Sequence, residues 1–471
     1  MTIIKNQIID TSLQQILQNI LTHYPQVSTI IAAIHTQGGK ALLVGGAVRD
    51  LLLGLEVKDL DVEVYGLTAD QLETILRSFG PVSLVGKSFG VLRLHSLDID
   101  WSLPRADSAG RKPTVMIDPH MSFTQAFRRR DLTINAMGID LHTYELIDPF
   151  NGQQDLKNKL LRPTDIRLFE EDPLRFFRVM QFIGRFEMEP TESLNALCMV
   201  MDISQVSVER IEMEFEKLLL KSVCPSRGIR WIATINRLKE IVPELADTMG
   251  ILQNPAWHPE GDVFEHSMQA LDAAAVMSYA DKKTQLIGLY AALCHDLGKA
   301  ITTEEIDGVW KSPLHAHEGA PLAKSLLQRI TNNKELIDAV YKMVKYHMEP
   351  MQFITGGAKM AAYKRLANKL APQVTINMLV DLAIADRRGR NALSHEPLTS
   401  TDPEIEEFRQ RALEAQVLLS KEEPVLHGRD IIDLVAPGPV MGKLLRQAYE
   451  IQIEEGVKDK EELKRRVLGE Y

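Results

Sequence analysis

Cysteine is scarce in this chain. Its three copies, Cys198, Cys224 and Cys294, are scattered over 471 residues, and no two of them form a Cys-x-x-Cys pair. Disulfide-rich secreted domains and zinc ribbons need denser and more regular cysteine spacing. The sequence therefore excludes both classes and favours a protein of a reducing compartment.

Long apolar runs are missing as well. The longest, residues 286–294, is far shorter than the roughly 20 residues of a membrane-spanning helix. The first ten residues, MTIIKNQIID, lack the basic start and the apolar core of a secretory signal peptide. We expect a cytoplasmic protein with no membrane partner.

The chain has no excess of positive charge. Lys and Arg number 54 against 64 Asp and Glu, which leaves a net charge of -10. Nucleic-acid binding depends on local basic patches, and three short clusters occur at 128–130, 387–390 and 464–466. Charge therefore neither predicts nor excludes an RNA partner.

The hydrophobic pattern changes near residue 165. Before that point, residues 1–40 have the period of an amphipathic helix, and strand-like segments alternate with further helical stretches. After it, apolar residues recur at helical spacing almost to the end, with proline and short polar breaks between helices. The predicted strands are 41–44, 60–65, 90–101 and 133–140.

This pattern predicts an α+β protein. We expect a head with a mixed sheet and helices, followed by an all-α neck, body and tail. The expected sections are 1–164 for the head, 165–250 for the neck, 251–395 for the body and 396–471 for the tail.

Two carboxylates follow a glycine turn in the head. Gly45 and Gly46 lie between a predicted strand and an apolar helical stretch, where a phosphate can approach backbone N–H groups. Asp59 and Asp61 lie two residues apart on the next strand and so share a face. Adjacent carboxylates repel each other unless cations lie between them. This combination is typical of a Mg²⁺ site for phosphoryl transfer, whereas an isolated Asp-x-Asp is usually a solvated strand edge.

The head resembles the nucleotidyltransferase superfamily of DNA polymerase beta, and within it the bacterial tRNA nucleotidyltransferases (CCA-adding enzymes) and their poly(A) polymerase relatives. Four ordered segments carry the resemblance. Segment 45–61 contains the turn and the two aspartates, and 129–136 is similar to the family's ribose- and triphosphate-binding motif. Segment 147–162 resembles the hinge between head and neck, and 171–178 resembles the nucleotide-template motif.

The resemblance implies the roles of individual residues. Asp59 and Asp61 would hold two Mg²⁺ ions, and Asp100 would supply a third catalytic carboxylate from a neighbouring strand, the alternative for Asp100 being a solvated strand face. Glycine backbone, guanidinium groups and polar side chains would bind the nucleotide. These nucleotide-binding candidates are Gly45, Gly46, Arg49, Arg129, Arg130, Asp131, Asn135, Asp172, Arg175 and Arg178.

Base choice has a simple chemical basis in such a site. Cytosine and adenine both present an amine donor beside a ring-nitrogen acceptor, whereas uracil and guanine present the opposite pair. Asp172 and Arg175 lie three residues apart on a predicted helix, and the resemblance implies that they pair with the incoming base. The alternative is an ordinary ion pair within the helix.

Histidines are concentrated in the body, where six of the 13 lie between 258 and 347. Their order, with adjacent His295 and Asp296, resembles the HD phosphohydrolase superfamily. The resemblance implies a metal site whose ligands are His266, His295, Asp296 and Asp386, with His317 and His347 as further candidates.

His317 is preferred to His315 as a ligand because it begins a His-Glu-Gly triplet similar to the family's, so His315 is expected to flank the site. Imidazole and carboxylate ligands suit Ni²⁺, Mn²⁺, Mg²⁺, Fe²⁺ or Zn²⁺, so the metal is not defined. The implied chemistry is hydrolysis of a phosphoester such as a 2′,3′-cyclic phosphate, and the alternative is a structural metal.

Together these features predict an enzyme that adds C, C and A from CTP and ATP to the 3′ end of tRNA without a template, with an HD hydrolase in its body. The tail segments 428–430 and 437–445 resemble a tRNA-contacting tail. Four alternatives stay open: addition of CC only, addition of A only, a poly(A) polymerase, and an HD hydrolase with a nucleotide-sensing head. Segment 86–90 departs from the basic, aromatic run of poly(A) polymerases, and 104–121, near the loop that serves the switch from C to A, is unusual for the family.

Overall fold

The chain forms two units, which correspond to residues 1–207 and 208–471. The division falls inside the predicted neck, 165–250, so the four-section organisation remains a prediction. The computed structural model describes residues 7–24, 26–85, 91–107 and 115–469.

The first unit contains the predicted mixed sheet. The strands of this unit, in the main sheet and in two smaller pairs, are β1 (Gln7–Ile8), β2 (Lys40–Val44), β3 (Leu60–Tyr65), β4 (Val82–Val85), β5 (Val91–Leu94), β6 (Ile99–Ser102), β7 (Arg105–Asp107), β8 (Val115–Ile117), β9 (Gly138–Asp140), β10 (Glu145–Ile147), β11 (Leu160–Leu161) and β12 (Glu189–Pro190).

Helices accompany this sheet. They are α1 (Thr11–Thr22), α2 (Val27–Thr36), α3 (Gly46–Leu52), α4 (Ala69–Arg77), α5 (Phe123–Arg128), α6 (Gly152–Lys157), α7 (Ile166–Glu170), α8 (Leu174–Phe186) and α9 (Glu192–Val200), with a 3-10 turn at Thr133–Asn135.

The second unit is helical apart from one hairpin, within the described residues. Its elements are α10 (Val208–Lys221), α11 (Ser226–Thr234), α12 (Leu238–Ile241), α13 (Pro243–Ala246), α14 (Val263–Ala275), α15 (Lys282–Cys294), α16 (Lys299–Thr302), β13 (Glu304–Ile306), β14 (Val309–Lys311), α17 (His315–Ile330), α18 (Lys334–Tyr346), α19 (Glu349–Thr355), α20 (Met360–Leu370), α21 (Ile376–Arg388), α22 (Pro403–Glu414), a 3-10 turn at Gly428–Asp430, α23 (Pro439–Glu455) and α24 (Lys460–Leu468).

One parallel pair distinguishes the main sheet of the first unit. Its eight strands lie in the order β1-β10-β9-β2-β3-β6-β5-β4. β3 and β6 run parallel, and the other neighbours are antiparallel. β2 and β3 occupy the middle because their side chains are buried along almost the whole strand. The α+β class is confirmed.

Two predicted strands are wrong in extent. Segment 90–101 contains β5 and β6, because a turn after Leu94 reverses the chain and lets the two strands pair antiparallel. Segment 133–140 begins with the 3-10 turn, and its strand is only β9. The side chain of Asn135 donates to Asp131 Oδ1 at 2.9 Å, and such local polar bonds compete with a sheet ladder.

The core beneath the sheet also positions charged groups. Phe127 at the end of α5 is fully buried and packs in a cluster with Leu42 and Val44 of β2. The guanidinium of Arg130 lies over the Phe127 ring, 5.4 Å from its centroid. Burial of this aromatic ring therefore fixes the position of Arg129 and Arg130, the arginine segment that follows α5.

Aspartate and threonine caps begin three of the helices that position the candidate metal ligands. Asp262 caps α14 by accepting from Glu265 N, Asp281 caps α15, and Thr375 caps α21. Each side-chain oxygen satisfies a backbone N–H at the first turn. Among the described residues, no helix is both long and apolar enough to cross a bilayer.

Replacement of Leu42 by alanine should lower the free energy of unfolding by about 2–5 kcal/mol, because the side chain is fully buried in β2 and leaves a cavity. Leu55→Ala is the matched control, since Leu55 is 46% exposed, and it should change stability by less than about 0.5 kcal/mol. Urea denaturation followed by circular dichroism measures both, and equal shifts would contradict the assigned core.

Two candidate active sites

Three carboxylates meet on neighbouring strands of the head. The parallel register of β3 and β6 sets Asp61 opposite Asp100, and Asp59 directly precedes β3. Burial raises the pKa of Asp61; Arg130 opposes this shift, and the charges of Asp100 and Asp59 add to it. Oxygen donors that repel one another in this way fit a hard divalent cation, which removes the repulsion.

Arginines complete the surroundings of these carboxylates. A cavity of about 220 Å³ is lined by Asp61 and Asp100 together with Arg129 and Arg130. Arg93 anchors Asp100 with a bond of 2.7 Å from Nη2 to Oδ1. The cavity thus joins candidate metal ligands to guanidinium groups that can bind phosphate oxygens.

A buried glutamate in this cavity escaped the sequence analysis. Glu63 lies two residues beyond Asp61 on β3, its side chain is 1% exposed, and it accepts a hydrogen bond from Tyr65. Its Oε2 lies 3.3 Å from Arg129 Nη2 and 3.6 Å from Arg130 Nη2. The alternation from Asp59 through Asp61 to residue 63 was the available signal. Glu63 orients both arginines and offsets their charge.

The glycine turn brings backbone close to Arg130. Gly45 has a φ of +73°, and a Cβ there would lie 2.6 Å from Arg130 Nη1. Gly46 begins α3. The positive φ favours glycine at position 45, and the missing side chain leaves room for the Arg130 guanidinium.

Arg49, a predicted triphosphate ligand, is instead occupied inside the protein. It is 5% exposed. Its Nη1 donates to Asn135 Oδ1 at 2.6 Å, and its Nη2 donates to Asp50 Oδ1 at 2.7 Å. The guanidinium lies over the Phe186 ring of α8 at 4.6 Å. In this geometry Arg49 braces α3 against Asn135 and α8 and does not line the cavity.

Asp131 joins the same network. Its Oδ1 accepts from Asn135, and its Oδ2 accepts from Arg178 Nε at 2.6 Å. Although burial opposes ionisation, Arg178 and Asn135 hold the pKa of Asp131 at about 2. The ionised carboxylate thereby ties α8 to the arginine segment.

The two residues of the predicted base-reading pair differ in position. Asp172 lies before α8 and accepts from Leu174 N at 3.2 Å, so the two residues are not on one helix as predicted. Arg175 lies in the first turn of α8. Its Nη1 donates to Leu168 O at 2.7 Å and its Nη2 to Arg129 O at 2.5 Å. These carbonyls fix the guanidinium plane of Arg175 and connect it with the arginine segment.

In the second unit, four predicted ligands converge. His266 Nε2 lies 3.1 Å from His295 Nε2 and 3.1 Å from Asp386 Oδ1. Asp296 Oδ2 lies 3.3 Å from His295 Nε2 and 3.5 Å from His266 Nε2. The four side chains come from α14, the end of α15 and α21.

A second group of ligands adjoins the first. His315 Nε2 lies 3.4 Å from Asp296 Oδ1 and 3.2 Å from His347 Nε2. His317 lies outside this group; its side chain is 65% exposed and faces Glu318. Residues two apart on a helix point to opposite sides, and α17 turns the first of the two inward. The structure therefore replaces His317 by His315 in the cluster.

Backbone carbonyls determine which ring nitrogen of each imidazole carries the proton. The Nδ1 atoms of His266, His295, His315 and His347 lie 3.1, 2.9, 2.8 and 2.7 Å from the carbonyl oxygens of residues 389, 292, 312 and 344. A proton on Nδ1 donates to each carbonyl and leaves the Nε2 lone pair directed into the cluster. This tautomer is the one that ligates a metal.

An additional buried carboxylate beside the histidine cluster also favours a bound cation. Glu260 Oε1 lies 2.7 Å from His266 Nδ1, a partner that the sequence analysis missed, and 2.9 Å from His258 Nδ1. Burial lowers the pKa of His266, yet Asp386 and Glu260 outweigh it and raise that pKa to about 9. A divalent cation would supply the positive charge that these carboxylates attract, so the donor set fits a metal.

Two glycines permit the approach of the helices. A Cβ on Gly298 would lie 2.0 Å from His315 O, and one on Gly389 would lie 2.8 Å from Ala270 N. Gly298 thus lets α17 bring His315 against Asp296, and Gly389 lets the end of α21 lie against α14. The glycine of the His-Asp-Leu-Gly segment serves packing here.

Two family models match this chain, one in each unit. Residues 41–162 match the poly A polymerase head domain, and 263–390 match the HD domain. A multifunctional CCA protein of Alkalilimnicola ehrlichii is 32% identical over 372 residues, which cover 76% of this chain and 86% of that protein. A multifunctional CCA protein of Methylococcus capsulatus is 32% identical over 429 residues, covering 87% and 93%.

Solved structures share the fold. A Thermotoga maritima CCA-adding enzyme complexed with tRNA matches with a TM-score of 0.59 and 21% identity, over 98% of this chain and 99% of that one. The Bacillus stearothermophilus CCA-adding enzyme in complex with CTP matches with a TM-score of 0.63 and 19% identity, over 94% and 97%. The head and the HD domain define a nucleotidyltransferase with an appended HD domain. The chain belongs to the family of multifunctional CCA proteins.

His315→Ala should lower the number of divalent ions bound by the second unit, because it removes a ligand that faces Asp296 and His347. His317→Ala is the matched control and should leave the bound metal unchanged, since that imidazole is exposed. Inductively coupled plasma mass spectrometry of protein dialysed against Mn²⁺ or Ni²⁺ measures both. A loss of metal in the His317 variant alone would reverse the assignment.

Proposed function

We propose that the head adds C, C and A to the 3′ end of tRNA from CTP and ATP. The observation that carries this proposal is the register of β3 and β6, which joins Asp61 and Asp100 beside a cavity lined by Arg129 and Arg130. Kinship with multifunctional CCA proteins supports the choice of substrates. The reaction joins the 3′-oxygen of the tRNA to the α-phosphorus of the nucleotide and releases pyrophosphate.

Each residue of the head has a proposed part in this reaction. Asp59, Asp61 and Asp100 hold Mg²⁺, which when bound lowers the pKa of the 3′-hydroxyl and neutralises charge on the pyrophosphate. Arg129 and Arg130, oriented by buried Glu63, bind triphosphate oxygens. The Gly45 turn presents backbone next to Arg130.

Base selection rests on Asp172 and Arg175. The carbonyls of Leu168 and Arg129 hold the Arg175 guanidinium in one plane, which leaves its orientation defined before a nucleotide arrives. A fixed guanidinium donor beside a carboxylate acceptor matches the edge that cytosine and adenine share. Uracil and guanine would leave these groups unpaired, which is costly in a desolvated site.

The HD domain is proposed to hydrolyse phosphoesters, including 2′,3′-cyclic phosphates. Asp296 has one oxygen beside His295 and the other beside His315, so it would help to hold divalent metal in either ligand group, with Ni²⁺, Mn²⁺ and Mg²⁺ as candidates. Bound metal would activate water and polarise the phosphate. Lys299, whose Nζ lies 2.7 Å from Asp296 Oδ2, reaches the adjoining cavity and binds phosphate oxygens there. Water adds across one P–O bond, and the departing ribose oxygen gains a proton.

One assay distinguishes addition of full CCA from addition of CC only or of A only. Segment 86–90, which departs from the basic, aromatic run of poly(A) polymerases, lies outside the described residues, and so do 108–114 within the segment 104–121. A tRNA that ends at the discriminator base is offered each nucleoside triphosphate separately and then all together. Products with CCA support the proposal; products that end at CC, a requirement for a CC end, or long poly(A) each overturn it in favour of the matching alternative.

Asp61→Asn should lower nucleotide addition by at least about a hundredfold, since it removes charge from the metal site while keeping the side-chain shape. Asp98→Asn, on an 88% exposed side chain, is the matched control and should retain activity. Incorporation of labelled CTP into tRNA measures both. Near-normal incorporation by the Asp61 variant would refute the assigned metal site.

Arg175→Ala should raise misincorporation of UTP and GTP relative to CTP by roughly tenfold, because a positioned donor to the base is lost. Arg167→Ala, on the exposed surface of α7, is the control. Single-turnover assays with each triphosphate separate selectivity from rate. A uniform loss of rate with unchanged selectivity would assign Arg175 a structural or phosphate-binding role.

A further inference from the structure

A large cavity adjoins the histidine cluster of the HD domain. Its volume is about 550 Å³, within the range of ligand pockets. His315, His347 and Asp386 line it, together with Lys299. The cavity therefore connects directly with the candidate metal ligands and their phosphate-binding lysine.

The rest of the lining has a different character. Trp257 and Trp310 line this cavity, as do Met348, Met351 and Ile405. Trp257 is 60% exposed, which core packing does not explain. An aromatic and apolar wall next to a phosphate-binding end matches a ligand with one flat apolar part and one anionic part.

The hairpin of β13 and β14 carries one of these tryptophans. Trp310 pairs with Glu305 across the hairpin, and Thr303 and Ser312 join its two ends through a hydroxyl bond of 2.8 Å. Residue 310 is five positions before His315, which begins α17. The hairpin that carries Trp310 thus leads directly into α17, whose first residue is the candidate metal ligand His315.

Charge at the cavity fits an ester of phosphate. Lys311 on β14, Arg387 near the end of α21 and Arg390 just beyond that helix line the cavity. Arg390 is held by Asp386 at 2.8 Å, and Arg387 is held by Asp402 at 2.8 Å. Their positions are therefore fixed near the ligands.

We propose that Trp310, assisted by Trp257, is the nucleobase platform of the HD site. Within the proposed phosphoester hydrolysis, this platform makes the site prefer a substrate that carries a base over one that does not. This inference rests on the proposed hydrolase function. Stacking of a base on one aromatic ring changes affinity by roughly five- to 150-fold, because every base has a π-face.

The first test compares substrates with and without a base. Adenosine 2′,3′-cyclic phosphate and ethylene glycol cyclic phosphate are hydrolysed by the full chain loaded with Mn²⁺ or Ni²⁺. In Trp310→Ala the preference in kcat/KM for the nucleotide should fall about tenfold, mainly through KM, and Trp310→Phe should restore most of it. Ile301→Ala, on an exposed side chain outside the cavity lining, is the control and should keep the wild-type preference. An unchanged preference in Trp310→Ala overturns the platform.

The second test is independent of hydrolysis. Isothermal titration calorimetry compares binding of adenosine 2′-monophosphate and of ribose 5-phosphate to wild-type protein, Trp310→Ala and Trp257→Ala. Selective loss of nucleotide binding in the tryptophan variants supports the platform, even if no cyclic phosphate is hydrolysed and the hydrolase function fails. Equal binding of the nucleotide by wild type and variants overturns the platform, even if hydrolysis is observed.

A third experiment asks whether the ligand is a free nucleotide or the end of an RNA. A short oligoribonucleotide that ends in a 2′,3′-cyclic phosphate is compared with the free cyclic nucleotide. A Trp310→Ala effect on both supports a pocket for the terminal nucleoside alone, and an effect on the oligonucleotide only supports an RNA end as the substrate. Absence of an effect on either overturns the inference.

Discussion

Backbone pairing of β3 with β6 fixes the separation of Asp61 and Asp100, and the arrangement of the candidate site in the head follows from that separation. Side chains alone would not hold like charges together, since each carboxylate gains by moving away from the other. The ladder of a buried sheet supplies the restraint. The remaining charges are arranged around this pair: Arg93 anchors Asp100, and Glu63 holds Arg129 and Arg130 at the cavity.

In the second unit, close approach of helices holds the candidate metal ligands together. Gly298 admits the backbone of α17, and Gly389 admits that of α14. Helices packed this closely bring imidazole Nε2 atoms to within 3.2 Å of each other, a distance that suits ligands of a shared ion better than neighbours in an apolar core. Backbone carbonyls behind the rings then select the ligating tautomer.

The arginines of the first unit divide into two kinds. Arg49 and Arg178 are engaged with Asn135 and Asp131, and they bind α8 to the segment that follows α5. Arg129 and Arg130 line the cavity. Arg175 belongs to neither kind: backbone carbonyls of Leu168 and Arg129 position it, and its proposed partner is the base. Such bracing links the proposed base-reading position to the segment that is proposed to bind triphosphate.

The sequence by itself determined the α+β class and the pairing of a nucleotidyltransferase head with an HD domain, and it named most of the candidate residues that lie together in the structure. These follow from local order: a glycine turn before Asp59 and Asp61, and a His-Asp pair among spaced histidines. Tertiary structure decided three things that local order does not contain. Burial of Glu63 depends on the strands beside β3, the choice of His315 over His317 depends on how α17 packs against Gly298, and the bracing role of Arg49 depends on α8. Side chains of the same type differ only in what surrounds them after folding, and that is set by contacts between residues far apart in the chain.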